Sequence, residues 1–244
     1  MAKAPKPDKY RRELASTMLL FVEVLDKNST ACVNPEIIKH AANMCGGNKP
    51  DGQDSWGYEI DNLHFRVKSP QKVIPAQGSD LLNVHLGLKI EGKCIEDFQA
   101  KLTKLELSIV ISTEGNTHIS SWHFDQHITS PGSAEPHDAH PLYHFQYGGK
   151  KMAEVSEGLG NLLLLPAPRI GHPPMDIVLA VDFVLSNFSG EEWNGLRGVD
   201  EYRAKVASSQ EIYWKPYMEH IMSWWEKGNR PNRKYLQSLW PHLI

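Results

Sequence analysis

NVHLGLKI, residues 83–90, alternates polar and apolar side chains without a break. Val84, Leu86, Leu88 and Ile90 fall on one side of an extended chain, and Asn83, His85, Gly87 and Lys89 on the other. Side chains in a strand repeat every two residues, so the stretch reads as a strand with one greasy and one wet face. KLELSIVIS (104–112) repeats the pattern, with Leu105, Leu107, Ile109 and Ile111 inward. WHFDQHI (122–128) sets Trp122, Phe124 and Ile128 against His123, Asp125 and His127. LYHFQYGG (142–149) sets Tyr143, Phe145 and Tyr147 against His144 and Gln146. GYEIDNLHFRV (57–67) adds a strand or hairpin, and the apolar run Leu162 to Leu165 suits a central strand ended by Pro166 and Pro168. With EGK, TEGN and SPGS as turns between runs, the middle of the chain is an antiparallel meander of about five or six strands.

Outside this region the period is helical. Residues 1–9 read as a flexible tail, and 10–244 as one α+β domain. Its parts are a helical N-terminal segment (10–57), the sheet (58–168) and a helical C-terminal segment (174–244) packed on the sheet's apolar face. Leu14, Met18, Phe21, Val22 and Leu25 recur at three- and four-residue steps. In NPEIIKHAANMCGG (34–47), Asn34 is placed to cap a helix, Pro35 to open it and Gly46 to end it. Ile177, Ala180, Val181, Val184 and Leu185 form a wide apolar stripe. SGEEWNGLRG (189–198) reads as a connection, 199–227 as a helix broken near Pro216, and 233–240 as a short last helix.

Bulk properties exclude several classes. The chain has 244 residues, 41% of them hydrophobic, and a net charge of −3. That balance makes no electrostatic case for nucleic acid or an anionic membrane surface. No run of apolar residues is long enough to span a membrane. Cys32, Cys45 and Cys94 are an odd number at wide spacings, which fits a reducing, cytoplasmic setting rather than a disulfide scaffold.

Six of the 12 histidines lie between His118 and His144. On a strand, His123, Asp125 and His127 share one face at steps of about 6 to 7 Å. Two imidazoles and a carboxylate at that spacing suit zinc or non-haem iron, with His144 or His172 to complete the set. His137, Asp138 and His140 lie in the intervening loop. Neither HExxH nor a Cys/His zinc spacing is present, and every neighbouring strand also has a polar face. The same residues therefore also fit a hydrated sheet face, or metal-free acid–base chemistry by imidazoles.

Two short stretches resemble known families. WHFD resembles the His-x-Asp strand of iron- and 2-oxoglutarate-dependent oxygenases, and GLGNLLLLPAPRIGH (158–172) the late barrel strand ending in their distal histidine. That resemblance implies His123, Asp125 and His172 as iron ligands. Where those enzymes continue with a strand bearing an arginine or lysine, HPPMDIVLAVDFVL (172–185) is helical in pattern, and the next arginine is Arg197. A meander followed by His140-Pro141 and then PPMDIVLAVDFVLSNF (173–188) resembles ubiquitin-conjugating enzymes. Their HPN motif is HPL here, and no cysteine follows Cys94, so the resemblance implies a catalytically silent relative.

Four of the seven tryptophans lie in the last 31 residues. Tyr217, Ile221 and Trp224 form one helical stripe, with Trp214 a turn earlier, and Met218, Met222 and Trp225 form the next. Tryptophan, tyrosine and methionine are enriched at interfaces, so Trp214, Tyr217, Trp224 and Trp225 are candidate contacts to a protein partner. The functional expectation is a soluble binding protein that engages a protein partner or ligand through its sheet and C-terminal helical surface. The competing expectation is a zinc- or iron-dependent enzyme built on the His/Asp cluster.

Overall fold

A computed structural model of the chain describes residues 5–69, 80–96, 101–127, 139–149, 152, 154, 165, 168–226 and 232–243. The fold is α+β: helices, then a six-stranded antiparallel sheet, then helices. Helices α1 (Pro7–Asn28) and α2 (Glu36–Cys45) come first. Strands β1 (Ser55–Lys68), β2 (Leu81–Lys93), β3 (Leu102–Thr113), β4 (Ile119–Gln126), β5 (Tyr143–Tyr147) and β6 (Ile170–Gly171) are neighbours in chain order. Helices α3 (Ile177–Phe188), α4 (Gly190–Arg197), α5 (Asp200–Ser209), α6 (Lys215–Met222) and α7 (Arg233–Leu239) follow. The apolar run at 162–164 lies outside the described residues.

Register explains why the sheet is two-faced. Ile60 pairs with Leu88 and Leu88 with Leu107, which pairs with Phe124, and Phe124 pairs with Phe145. Apolar side chains thus meet apolar ones across five strands, and all of these are buried. A one-residue slip would invert every one of them, so the pattern sets the register. The stretch 57–67 is one strand, not a hairpin, with a shift in pairing between Ile60 and Leu63. At Gly92 the backbone passes so close to the buried Trp56 ring that an added Cβ would sit 2.5 Å from it.

Helix α3 covers the apolar side. Seven of its aliphatic residues, Ile177, Val178, Leu179, Ala180, Val181, Val184 and Leu185, are no more than 1% exposed. Full burial of such a side chain contributes roughly 1.5–3 kcal/mol for the larger ones. Its Phe183 stacks on Phe145 of β5, with centroids 4.8 Å apart. Asp176 starts the helix. One of its oxygens accepts from Leu179 N at 3.0 Å and the other from Ser209 Oγ at 2.7 Å. The adjacent Ile177 N donates to Tyr58 Oη of β1 at 3.0 Å.

Several boundaries differ from expectation. Helix α1 starts at Pro7, inside the expected tail, because Arg11 is buried and ties the helix to the start of β1. Its guanidinium donates to Gln53 O at 3.1 Å and Ser55 O at 2.5 Å, and pairs with Asp8. Asn34 does not cap α2. Its side chain instead accepts from His64 N at 2.7 Å and donates to Asn62 O at 2.9 Å, joining the helix entry to β1. The expected connection 189–198 contains α4, anchored by Trp193 Nε1 to Asp182 at 2.9 Å and by Glu192 accepting from Thr30 and Ala31 N. The chain is not broken at Pro216. It passes through a π turn, Gln210–Trp214, directly into α6, where Pro216 sits in the first turn and its missing N–H is tolerated.

Asp176→Ala removes two acceptors inside the core and should lower the unfolding free energy by about 3 kcal/mol in urea titration. Asp176→Asn keeps an acceptor for Leu179 N and should cost only about 1 kcal/mol. Equal stabilities for wild type and Asp176→Ala would show that the junction does not hold the helices.

Candidate functional site

The polar face of the sheet carries two adjacent rows of side chains. Register aligns Glu59, Lys89, Glu106, Asp125 and His144 as one row across β1 to β5. Gly87, Ser108, His123 and Gln146 form the next row, across β2 to β5. Gly87 and Ser108 are small, so the second row sinks beside the first. The result is a depression of about 730 Å³, rimmed at the β4–β5 end by His127, His140 and Arg169. Gly87 has to be small: an added Cβ would lie 2.7 Å from Ser108 Oγ.

Of the five residues expected to ligate a metal, His123, Asp125, His127 and His144 all line this depression. His123 Nε2 stands 3.7 Å from an Asp125 oxygen. His127 and His140 rings lie 3.8 Å apart between centroids, and His140 meets His144 edge-on at 4.6 Å. His144 Nδ1 is 3.0 Å from Pro141 O. His172 does not join them. It packs on the opposite, apolar face against Phe124, Phe145, Phe183 and Trp214, with its Nδ1 2.7 Å from Pro173 O. The iron triad His123, Asp125 and His172 is therefore split by the sheet. Among the described residues no three His, Cys, Asp or Glu side chains converge to hold a metal ion. His137 and Asp138 lie outside the described residues.

Burial shapes the electrostatics. It pushes the imidazoliums of His140 and His144 down to about 4, and neighbouring cationic Arg169 pushes the same way. His127 is lowered for the same two reasons. These rings are neutral at neutral pH, each with one N–H donor and one bare nitrogen. Burial pushes the Asp125 carboxyl up, and His123 partly offsets this. Glu106 directly opposes Asp125 across the strand pair, a like-charge contact that destabilises a sheet.

Arg169, Gly87 and Ser108 were not singled out by sequence. Glycine and serine at a polar position signal only a hollow, and Arg169 follows two prolines, where no period applies. Among the described residues, Gln126 Oε1, His127 Nε2 and Arg169 Nε are shut from solvent without a hydrogen-bond partner. All three belong to residues lining this one depression.

The C-terminal aromatics divide into two groups. Tyr217 and Trp224 lie in the core, and half-buried Trp214 donates its indole N–H to Pro174 O at 3.1 Å. Trp225 is 64% exposed, and Met218 and Met222 of the same stripe are exposed with it. Of the four aromatics expected to meet a partner, Trp225 alone stands fully in solvent. No helix among the described residues is long and apolar enough to cross a membrane.

The ordinary histidine value is 6.5, and the folded His140 and His144 stay neutral down to about 4. Between those values the unfolded chain binds protons that the folded chain does not, so stability is full above about 6.5 and falls as pH drops towards 4. The urea midpoint should fall over that window, and His140→Gln with His144→Gln should flatten the fall. An unchanged slope in the double variant would refute the assignment.

The chain matches none of the family models, curated proteins or solved structures with which it was compared.

Proposed function

We propose that this protein is a binding module whose ligand lies in the depression on the polar face of the sheet. The observation that carries this is a pair of buried polar atoms without hydrogen-bond partners, His127 Nε2 and Arg169 Nε, on residues that line one hollow of about 730 Å³. Buried polar groups normally have partners, and leaving one without costs about 1–3 kcal/mol. Binding sites place a few convergent polar groups in a preformed concavity of this size. The opposed carboxylates of Glu106 and Asp125 add a second cost, offset in part by Lys104 beside Glu106 and His123 beside Asp125. Residues that lower stability on an open face are characteristic of sites kept for binding.

Ser108 is an exposed residue of the floor, so Ser108→Trp fills the hollow, and circular dichroism of the variant confirms that the fold is kept. Wild-type protein incubated with a small-molecule extract should retain a discrete compound by native mass spectrometry, and Ser108→Trp should lose it. The same compound at the same occupancy in the variant would sink the proposal.

A second reading rests on Met218, Met222 and Trp225: a protein partner docks on this exposed stripe. Met222→Ser with Trp225→Ser should leave stability within about 0.5 kcal/mol, whereas Trp224→Ala should cost about 3 kcal/mol because its ring is buried. The double variant should also lose the partner cross-linked through this helix. Undiminished cross-linking to the same partner would remove the stripe from consideration.

A further inference from the structure

We infer that the β4–β5 corner of the depression, formed by Arg169, His127 and His140, takes the oxyanion of a small molecule, a carboxylate or a phosphate group. This rests on the depression being the ligand site. Three features of the corner specify the chemistry. First, Arg169 is half-buried and makes no ion pair among the described residues. A guanidinium presents five N–H donors in a planar fork and accepts nothing, so only an acceptor, and best an oxyanion, can satisfy it. Second, the nearby charges are already engaged. Lys89 pairs with Glu59 at 3.0 Å, Lys104 with Glu106 at 3.2 Å, and Asp125 faces His123 at 3.7 Å. The one lining carboxylate without such a partner, Asp61, lies on β1 at the far rim from Arg169. Third, the groups beside Arg169 are imidazoles, whose ring N–H can donate to the same oxygen atoms. His127 Nε2 has no partner among the described residues, and the His127 ring lies against His140.

The rest of the hollow limits what else the molecule carries. Its floor continues from this corner towards Glu106, Asp125 and, at the far rim, Glu59 and Asp61. Strands about 4.8 Å apart put β1 roughly 14 Å from β4. A second negative charge in mid-depression would meet carboxylates, so a neutral or cationic remainder fits and a polyanion does not.

The test is a titration of the full chain followed by the imidazole resonances of His127, His140 and His144. The probes are acetate and inorganic phosphate, with sodium chloride at matched ionic strength as control. The expected result is a saturable shift of these rings with at least one oxyanion, absent with chloride, and the stronger probe identifies the group. Arg169→Gln should weaken it by about tenfold or more, as expected for loss of a charge-assisted hydrogen bond. Arg169→Lys, which keeps the charge but not the fork, should fall between, and the exposed Arg12→Gln should bind like wild type. Far-ultraviolet circular dichroism of each variant separates lost binding from lost folding. Saturation by ribose or zinc chloride with both oxyanions silent would overturn the oxyanion while leaving the depression as a site. Rings that respond to no probe would overturn both.

Discussion

One carboxylate, that of Asp176, fixes where the helices meet the sheet. It receives the N–H of Leu179 and the hydroxyl of Ser209, and the next peptide N–H reaches Tyr58 on β1. Desolvation raises its pKa, and the hydrogen bonds oppose that rise. The cost of burying the group is met because α3 cannot sit anywhere else: its aliphatic residues are closed to solvent almost all round. A helix that is apolar on every side has to be enclosed. Here α3 lies on β2 and β5, on the apolar face of the sheet.

That division gives the polar face its freedom. Its side chains are not chosen for packing, so small and charged residues can be placed where a hollow and a field are needed. Gly87 and Ser108 make the hollow because they are small beside the row of Glu59, Lys89, Glu106, Asp125 and His144. Glu106 opposite Asp125 would be poor design for stability alone. The position of Arg169 follows from the two-residue strand β6: Ile170 pairs with Phe145 and Gly171 with His144, which sets the preceding arginine at the mouth of the hollow.

The meander was legible in NVHLGLKI and KLELSIVIS because a buried sheet face enforces period two in sequence. The cluster of His123, Asp125, His127 and His144 was legible for the same reason. His172 was not, since two strand residues after Arg169 change face and the chain then leaves the sheet, which puts this ring among phenylalanines. Asn34 had the chemistry of a cap, but a strand edge beside it offered both a donor and an acceptor. The SGEEWNGLRG helix was hidden because it is held by contacts to Asp182, Thr30 and Ala31 that are distant in sequence. Pro216 was misleading because a proline in the first turn of a helix segment needs no break in the chain's path.

The two aromatic stripes of the C-terminal helix show how little separates core from surface in such a segment. Tyr217 and Met218 are adjacent, yet the first is 1% exposed and the second 46%. A helix turns about 100° per residue, so neighbours in sequence face different surroundings. The π turn ahead of α6 adds residues without adding a full helical turn, and this rotates the following stripes relative to α5. The observed phase brings Tyr217 to Tyr143, with ring centroids 6.2 Å apart, and leaves Met222 and Trp225 to solvent.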